Sequence, residues 1–176
     1  MIKMLSLYDK MALIRNVGEI DTKPILESYF KLEENMHWYE GGTKGRQSGL
    51  QYKPGEDPWF SAVGVSKGQE LTYTEINPFF KDTIFEELIN KYNVKRARLL
   101  WVNPMSCYSI HRDTTPRLHI PLITNPQCFF VFKQGLIEHL SVGRVYKLKT
   151  TELHTFMNCS EEGRLHFIGV LDPEKE

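Results

Sequence analysis

Residues 153–171 read LHTFMNCSEEGRLHFIGVL, two runs of strand length on either side of a Glu-Glu-Gly turn. In the second run Arg164 and His166 alternate with Leu165 and Phe167, and a period of two sends polar and apolar side chains to opposite faces of a strand. The pattern predicts strands over 153–158 and 164–171. Upstream, similar runs recur as RARLLWV (96–102), RLHIPLI (117–123), CFFVFK (128–133) and RVYKLK (144–149), separated by turn-like NP, QG and VG steps. Within RLHIPLI, Arg117 and His119 share one face while Leu118, Ile120 and Leu122 share the other. An ordinary half-exposed sheet shows the same alternation.

The first half of the chain is patterned differently. Over 24–36, PILESYFKLEENM places Ile25, Leu26, Tyr29, Phe30 and Leu32 near helical spacing behind Pro24, which suits a first helical turn. Over 78–93, PFFKDTIFEELINKYN carries an apolar stripe of Phe80, Ile84, Leu88 and Ile89, with Asn77 placed to cap it. Between them, Gly41 to Trp59 is rich in glycine, proline and polar residues, which predicts loops with short strands. Helices followed by a succession of short strands predict an antiparallel barrel or sandwich buttressed on one side by helices. We expect one domain over 1–176, with a helical and loop-rich part at 1–95 and a barrel core mainly at 96–172; no internal repeat or linker interrupts it.

The 22 basic and 22 acidic residues cancel, so the charge balance gives no reason to expect nucleic acid or an acidic membrane as partner. Cys107, Cys128 and Cys159 form no Cys-x-x-Cys pair and read as reduced thiols. The N-terminal MIKMLSLYDKMALIRN lacks a long apolar core and a small-residue cleavage site, and no stretch is apolar enough to span a bilayer. The expectation is a soluble, cytoplasmic protein.

Chemistry concentrates in the second half. His111-Arg112-Asp113 places an imidazole and a carboxylate on the same face of an extended segment, and His154 supplies a third donor. Two histidines and one carboxylate are the facial set of non-haem iron(II) oxygenases, which leaves coordination positions open. A lone His-x-Asp is equally a surface turn held by local hydrogen bonds. Arg164 adds weight: if His154 and Arg164 each open a strand, both can face the interior, and a buried guanidinium requires an anion. A dicarboxylate fits, because the planar fork meets a carboxylate with two parallel hydrogen bonds. The alternative is a strand-end arginine exposed or paired with Glu161 or Glu162.

The ordered set HRD, RLHIPLITNP, ELHTFMN and RLHFIGVLD, spanning about residues 98 to 172, resembles the aspartyl/asparaginyl beta-hydroxylase group of 2-oxoglutarate oxygenases, in the branch of small proline hydroxylases and phage or bacterial relatives. The resemblance implies a double-stranded beta-helix, or jelly roll. It implies Fe(II) held by His111, Asp113 and His154, and 2-oxoglutarate held at its distal carboxylate by Arg164, with Arg117 and His119 helping to bind that cosubstrate. Asn158 matches an asparagine that orients the site, and His166 is a further hydrogen-bonding candidate. Vertebrate-type peptide hydroxylases of the group lack the carboxylate ligand that Asp113 provides, which places this chain nearer the full-triad branch. The segment GRQSGLQY resembles one bordering the active site in relatives, with no role assigned to Arg46 or Gln47. The implied activity is hydroxylation of an amino acid or a peptidyl or protein side chain, with O2 as co-reactant and ascorbate as reductant in vitro. A cupin-like module binding a metal or small anion without redox chemistry is the alternative, and a zinc hydrolase, which gains nothing from Arg164, ranks behind both.

Overall fold

The computed structural model describes residues 6–41, 44–63 and 68–175. In chain order these form α1 (Leu7–Leu13), β1 (Ile14–Glu19), α2 (Lys23–Leu32), β2 (Tyr39–Glu40), β3 (Gly45–Gly49), β4 (Gln51–Tyr52), β5 (Glu75–Ile76) and α3 (Ile84–Tyr92). There follow β6 (Lys95–Val102), β7 (Ser106–Cys107), β8 (Arg117–Ile123), β9 (Cys128–Phe132), β10 (Ile137–Glu138), β11 (Arg144–Leu148), β12 (His154–Asn158) and β13 (Arg164–Val170).

The strands make a larger sheet in the order β1-β11-β8-β13-β6-β3-β2 and a smaller one in the order β10-β9-β12-β7, with β4 and β5 paired separately. The ladders of the two principal sheets are antiparallel. Alternation along the strands of the larger sheet decides what lies on each side. Leu118, Ile120 and Leu122 of β8, Leu165 and Phe167 of β13, and Ala97 and Leu99 of β6 pack outward with Ile25 and Tyr29 of α2 and Phe85, Leu88 and Ile89 of α3. The other face looks toward the smaller sheet, where Phe130 and Phe132 of β9 and Phe156 of β12 pack with Tyr146 and Leu148 of β11. Two facing antiparallel sheets with helices on one outer side make a double-stranded β-helix, a mainly β jelly roll with flanking helices.

The six strands read from alternation are present with ends shifted by a residue at most. The helices differ in detail. Pro78–Phe80 is a separate 3-10 turn, with Asn77 Oδ1 accepting from the Phe79 amide at 3.1 Å. Asp82, at φ 57°, then breaks the path before Thr83 caps α3. The helix expected over 24–36 is α2 followed by a 3-10 turn at Glu33–Asn35. In the glycine-rich stretch, β3 lies along β6 in the register Gly45↔Val102 to Gly49↔Arg98. A Cβ at Gly45 would stand 2.1 Å from the Trp101 carbonyl oxygen, so the close approach of β3 requires glycine there. The strand β1 went unread because it is an edge whose residues are mostly exposed, leaving no apolar period to detect.

Candidate metal centre and anion cavity

His111 and His154 face one another across an isolated antiparallel bridge, each amide donating to the other's carbonyl at 3.0 Å. Two residues on, the Asp113 amide donates to the Thr150 carbonyl at 2.9 Å. This backbone stitching brings the side chains of His111, Asp113 and His154 together, with one ligand atom from each lying within 4.8 Å of the others.

Hydrogen bonding fixes which nitrogen faces the centre. His111 Nδ1 lies 2.8 Å from the Ser109 carbonyl oxygen, and His154 Nδ1 lies 2.9 Å from that of Glu152. A carbonyl only accepts, so each Nδ1 carries a proton, which leaves Nε2 as the nitrogen available to the centre, with its lone pair free in the neutral ring. Burial holds the His154 imidazole below its ordinary pKa, against the opposing pull of the Glu152 carbonyl and Asp113, which favours the neutral, donor-competent form. Asp113 divides its oxygens: Oδ2 is held by Arg117 Nε at 3.2 Å, and Oδ1 lies 3.8 Å from His111 Nε2.

Behind Asp113 stands a buried ion cluster. Arg117 Nη2 meets Glu70 Oε1 at 2.5 Å, and Arg96 Nη1 meets the same oxygen at 2.6 Å. Glu70 Oε2 accepts from the hydroxyls of Thr114 at 2.5 Å and Thr115 at 2.7 Å. Burial alone would raise the Glu70 pKa, but Arg117 and these hydrogen bonds outweigh it and hold the group at about 2. Arg117 therefore braces the Asp113 carboxylate, and Glu70 braces Arg117.

On β13, Arg164 is 1 % exposed. Its guanidinium lies 3.4 Å from the Phe156 ring centroid, Nη2 bonds His166 Nδ1 at 2.7 Å, and Nη1 has no partner. Neither Glu161 nor Glu162 pairs with it; among the described residues no carboxylate lies within salt-bridge distance of Arg164. Because a guanidinium only donates, His166 Nδ1 accepts, and the His166 proton sits on Nε2, which is itself unpartnered. His119 Nδ1, at 3.4 Å, donates weakly to the same His166 nitrogen. Burial first, then the Arg164 charge, pushes both imidazoles well below their ordinary pKa, so both are neutral.

His111, Asp113, His154 and Arg164 line one cavity of about 650 Å³, together with Arg117 and His119. Asn158 lies elsewhere: its Nδ2 donates to the Asn103 and Glu162 carbonyls at 3.0 and 2.8 Å, and its Oδ1 accepts from Ser160. It ties down the turn that delivers Arg164. The cavity also contains Gln47, from the GRQSGLQY segment to which the resemblance gave a place beside the site but no residue role, and Glu70, Arg96, Arg98 and Tyr108, which the sequence reading does not single out. Arg96 and Arg98 alternate with Ala97 and Leu99 in β6, the same period that exposed Arg117 and His119; Gln47 and Glu70 sit where no period exists.

These residues fit a divalent metal and an anion. Two imidazoles that each present Nε2 and one carboxylate oxygen form a donor set suited to iron(II), and the Nη1 of a buried cation, without a partner among the described residues, marks a place for an anion.

Neither a protein-family model nor a curated protein matches the sequence. Solved structures do resemble it. A 2OG-Fe(II) oxygenase family oxidoreductase from Burkholderia pseudomallei matches with a TM-score of 0.55 at 14 % identity, over 82 % of this chain and 77 % of that one. A prolyl-4-hydroxylase from Pseudomonas putida matches with a TM-score of 0.51 at 11 % identity, over 92 % and 94 %. A DMSP lyase from Ruegeria pomeroyi matches with a TM-score of 0.51 at 10 % identity, over 91 % and 70 %. Likeness of this extent at such identities establishes a shared architecture, and the chain is a double-stranded β-helix protein.

Proposed function

We propose that the protein is an Fe(II)- and 2-oxoglutarate-dependent dioxygenase that hydroxylates an amino acid or a peptidyl or protein side chain, and that it belongs with the full-triad branch of the aspartyl/asparaginyl beta-hydroxylase-like enzymes. The observation that carries the reading is Arg164: a fully buried guanidinium without an acid partner among the described residues, lining the same cavity as a His-Asp-His donor set. A structural metal site would have no use for it. The prolyl-4-hydroxylase and the 2OG-Fe(II) oxygenase among the structural neighbours are consistent with this chemistry; the DMSP lyase shows that the fold also serves other reactions.

In this reading His111, Asp113 and His154 hold the iron, and Arg164 holds the distal carboxylate of 2-oxoglutarate. When bound, iron and 2-oxoglutarate supply O2 activation, yielding succinate, carbon dioxide and a hydroxylated product. The protein contributes position. Arg117 keeps one Asp113 oxygen occupied so that the other faces the imidazoles. Phe156 and the neutral His166 fix the plane of the Arg164 guanidinium, and His119 steadies His166. Their chemistry is orientation, with no proton transfer assigned to either imidazole.

The test is turnover of 2-oxoglutarate by purified protein supplied with Fe(II) and ascorbate under air. Slow formation of succinate, even without the prime substrate, is expected. A folded, iron-loaded protein that forms none, alone or with candidate amino acids and peptides, contradicts the proposal and leaves a metal- or anion-binding module.

A further inference from the structure

Both principal sheets stop at one side of the barrel. The larger sheet ends in β1 and the smaller in β10, and these two edges, with α1, enclose a cleft of about 230 Å³. No residue of this cleft lines the metal-centre cavity.

The floor of the cleft is apolar: Leu136 and Tyr146 are buried in the core between the sheets, and Ile14 packs against them. Its rim is charged, with Lys10 contributed by α1 and Glu138 by β10. Both are exposed, and among the described residues neither has an ion-pair partner. Large apolar side chains stand in water around it. Met11, itself part of the lining, is 57 % exposed, and Ile137, between Leu136 and Glu138, is 62 % exposed. Val17 in β1 is exposed as well, as is Val142, next to the Gly143 carbonyl that accepts from the Ile20 amide just past β1. Apolar side chains gathered in this way on a charged rim mark a contact surface.

The form of the edges limits what can cover them. An open edge invites another strand, but the register of β1 against β11 slips between Asn16 and Gly18, and such a bulge bends the strand away from continuous pairing. The contact is therefore made by side chains. A strongly acidic or strongly basic partner meets one matching charge here and one opposing charge. A second copy of the chain meets two matches, because a two-fold axis sets Lys10 of each copy against Glu138 of the other and Met11 of each against the other's cleft.

We infer that this side of the barrel, formed by α1, β1 and β10, is the interface of a homodimer held by reciprocal Lys10–Glu138 pairs around an apolar centre. The inference is independent of the oxygenase reading.

Sedimentation equilibrium of the full chain over about 1 to 100 µM tests it, since a micromolar dissociation constant is resolved there. The wild type is a dimer toward the upper end of that range. Lys10→Glu and Glu138→Lys each set like charges across the axis, and each weakens the dimer by at least about tenfold. Lys10→Glu combined with Glu138→Lys exchanges the signs and restores the wild-type constant to within about threefold. Met11→Asp removes the apolar anchor and leaves a monomer. These side chains are exposed and outside the metal-centre cavity, so all the variants keep the wild-type Tm and bind 2-oxoglutarate as the metal-loaded wild type does. A wild type that is monomeric throughout, its cleft left to solvent or a small ligand, overturns the assignment. So does a dimer that either charge reversal leaves intact, because another face then joins the copies, and so does a doubly reversed protein that stays apart.

Discussion

Arg164 and Glu70 are both buried charges, and they differ in whether the protein completes them. Glu70 is surrounded by two guanidiniums and two hydroxyls, so its role is structural support for Asp113 through Arg117. Removing one partner from such a cluster leaves the others unmatched, and Glu70→Gln is expected to lower the unfolding free energy by about 3–5 kcal/mol, measured by denaturant titration. The pH dependence has a definite sign. Because the folded pKa of Glu70 is depressed from 4.5 to about 2, its contribution is complete above the unfolded value and is lost as pH falls toward the folded one. The wild-type denaturation midpoint should fall across that interval, and Glu70→Gln should flatten the fall. Arg164, by contrast, awaits an external anion. Arg164→Ala should leave metal content near wild type and weaken 2-oxoglutarate by roughly 2 to 5 kcal/mol, as read by equilibrium titration, whereas His111→Ala should abolish stoichiometric iron binding by metal analysis.

Strands β8 and β13 could be read from sequence because each has one face in the helix-backed core and one face on the cavity. Arg117 and His119 in β8, and Arg164 and His166 in β13, interrupt apolar runs at a period of two, which sequence registers directly. The same period runs through Arg96 and Arg98 of β6, but nothing in the spacing separates a cavity face from a solvent face. For Gln47 only the resemblance of its segment pointed to the site; local pattern could not. It lies in a glycine-rich segment whose strand character comes from pairing with β6, a long-range contact that local propensity does not encode. The pairing is also fragile. Gly45→Ala forces a methyl group against the Trp101 carbonyl, and the cost should be about 1–3 kcal/mol in thermal unfolding. On the other side of the sheet, Phe85 of α3 is fully buried in the helix-facing core. Phe85→Ala should destabilise the fold by about 3–5 kcal/mol without changing the charge of the cavity.

Across the whole molecule, basic and acidic residues balance, yet the interior of the barrel does not: Arg98 and Arg164 are buried there without acidic partners among the described residues. The outer face of the larger sheet is apolar and backed by helices, while the inner face gathers arginines, neutral imidazoles and aromatic rings around one cavity. Glu70, in a 3-10 turn distant in sequence from β6 and β8, shows why that imbalance is hidden from sequence: only the fold reveals which cations it matches. Among the described residues no helix is long and apolar enough to cross a membrane. The measurement that bears most directly on the whole account is an anaerobic titration of 2-oxoglutarate into Fe(II)-loaded protein, followed by the visible charge-transfer absorption of an iron–2-oxo-acid chelate. A saturable band at one equivalent, absent in His111→Ala and shifted to much higher concentration in Arg164→Ala, is the predicted result. A folded, iron-loaded protein on which 2-oxoglutarate produces no such band would contradict it.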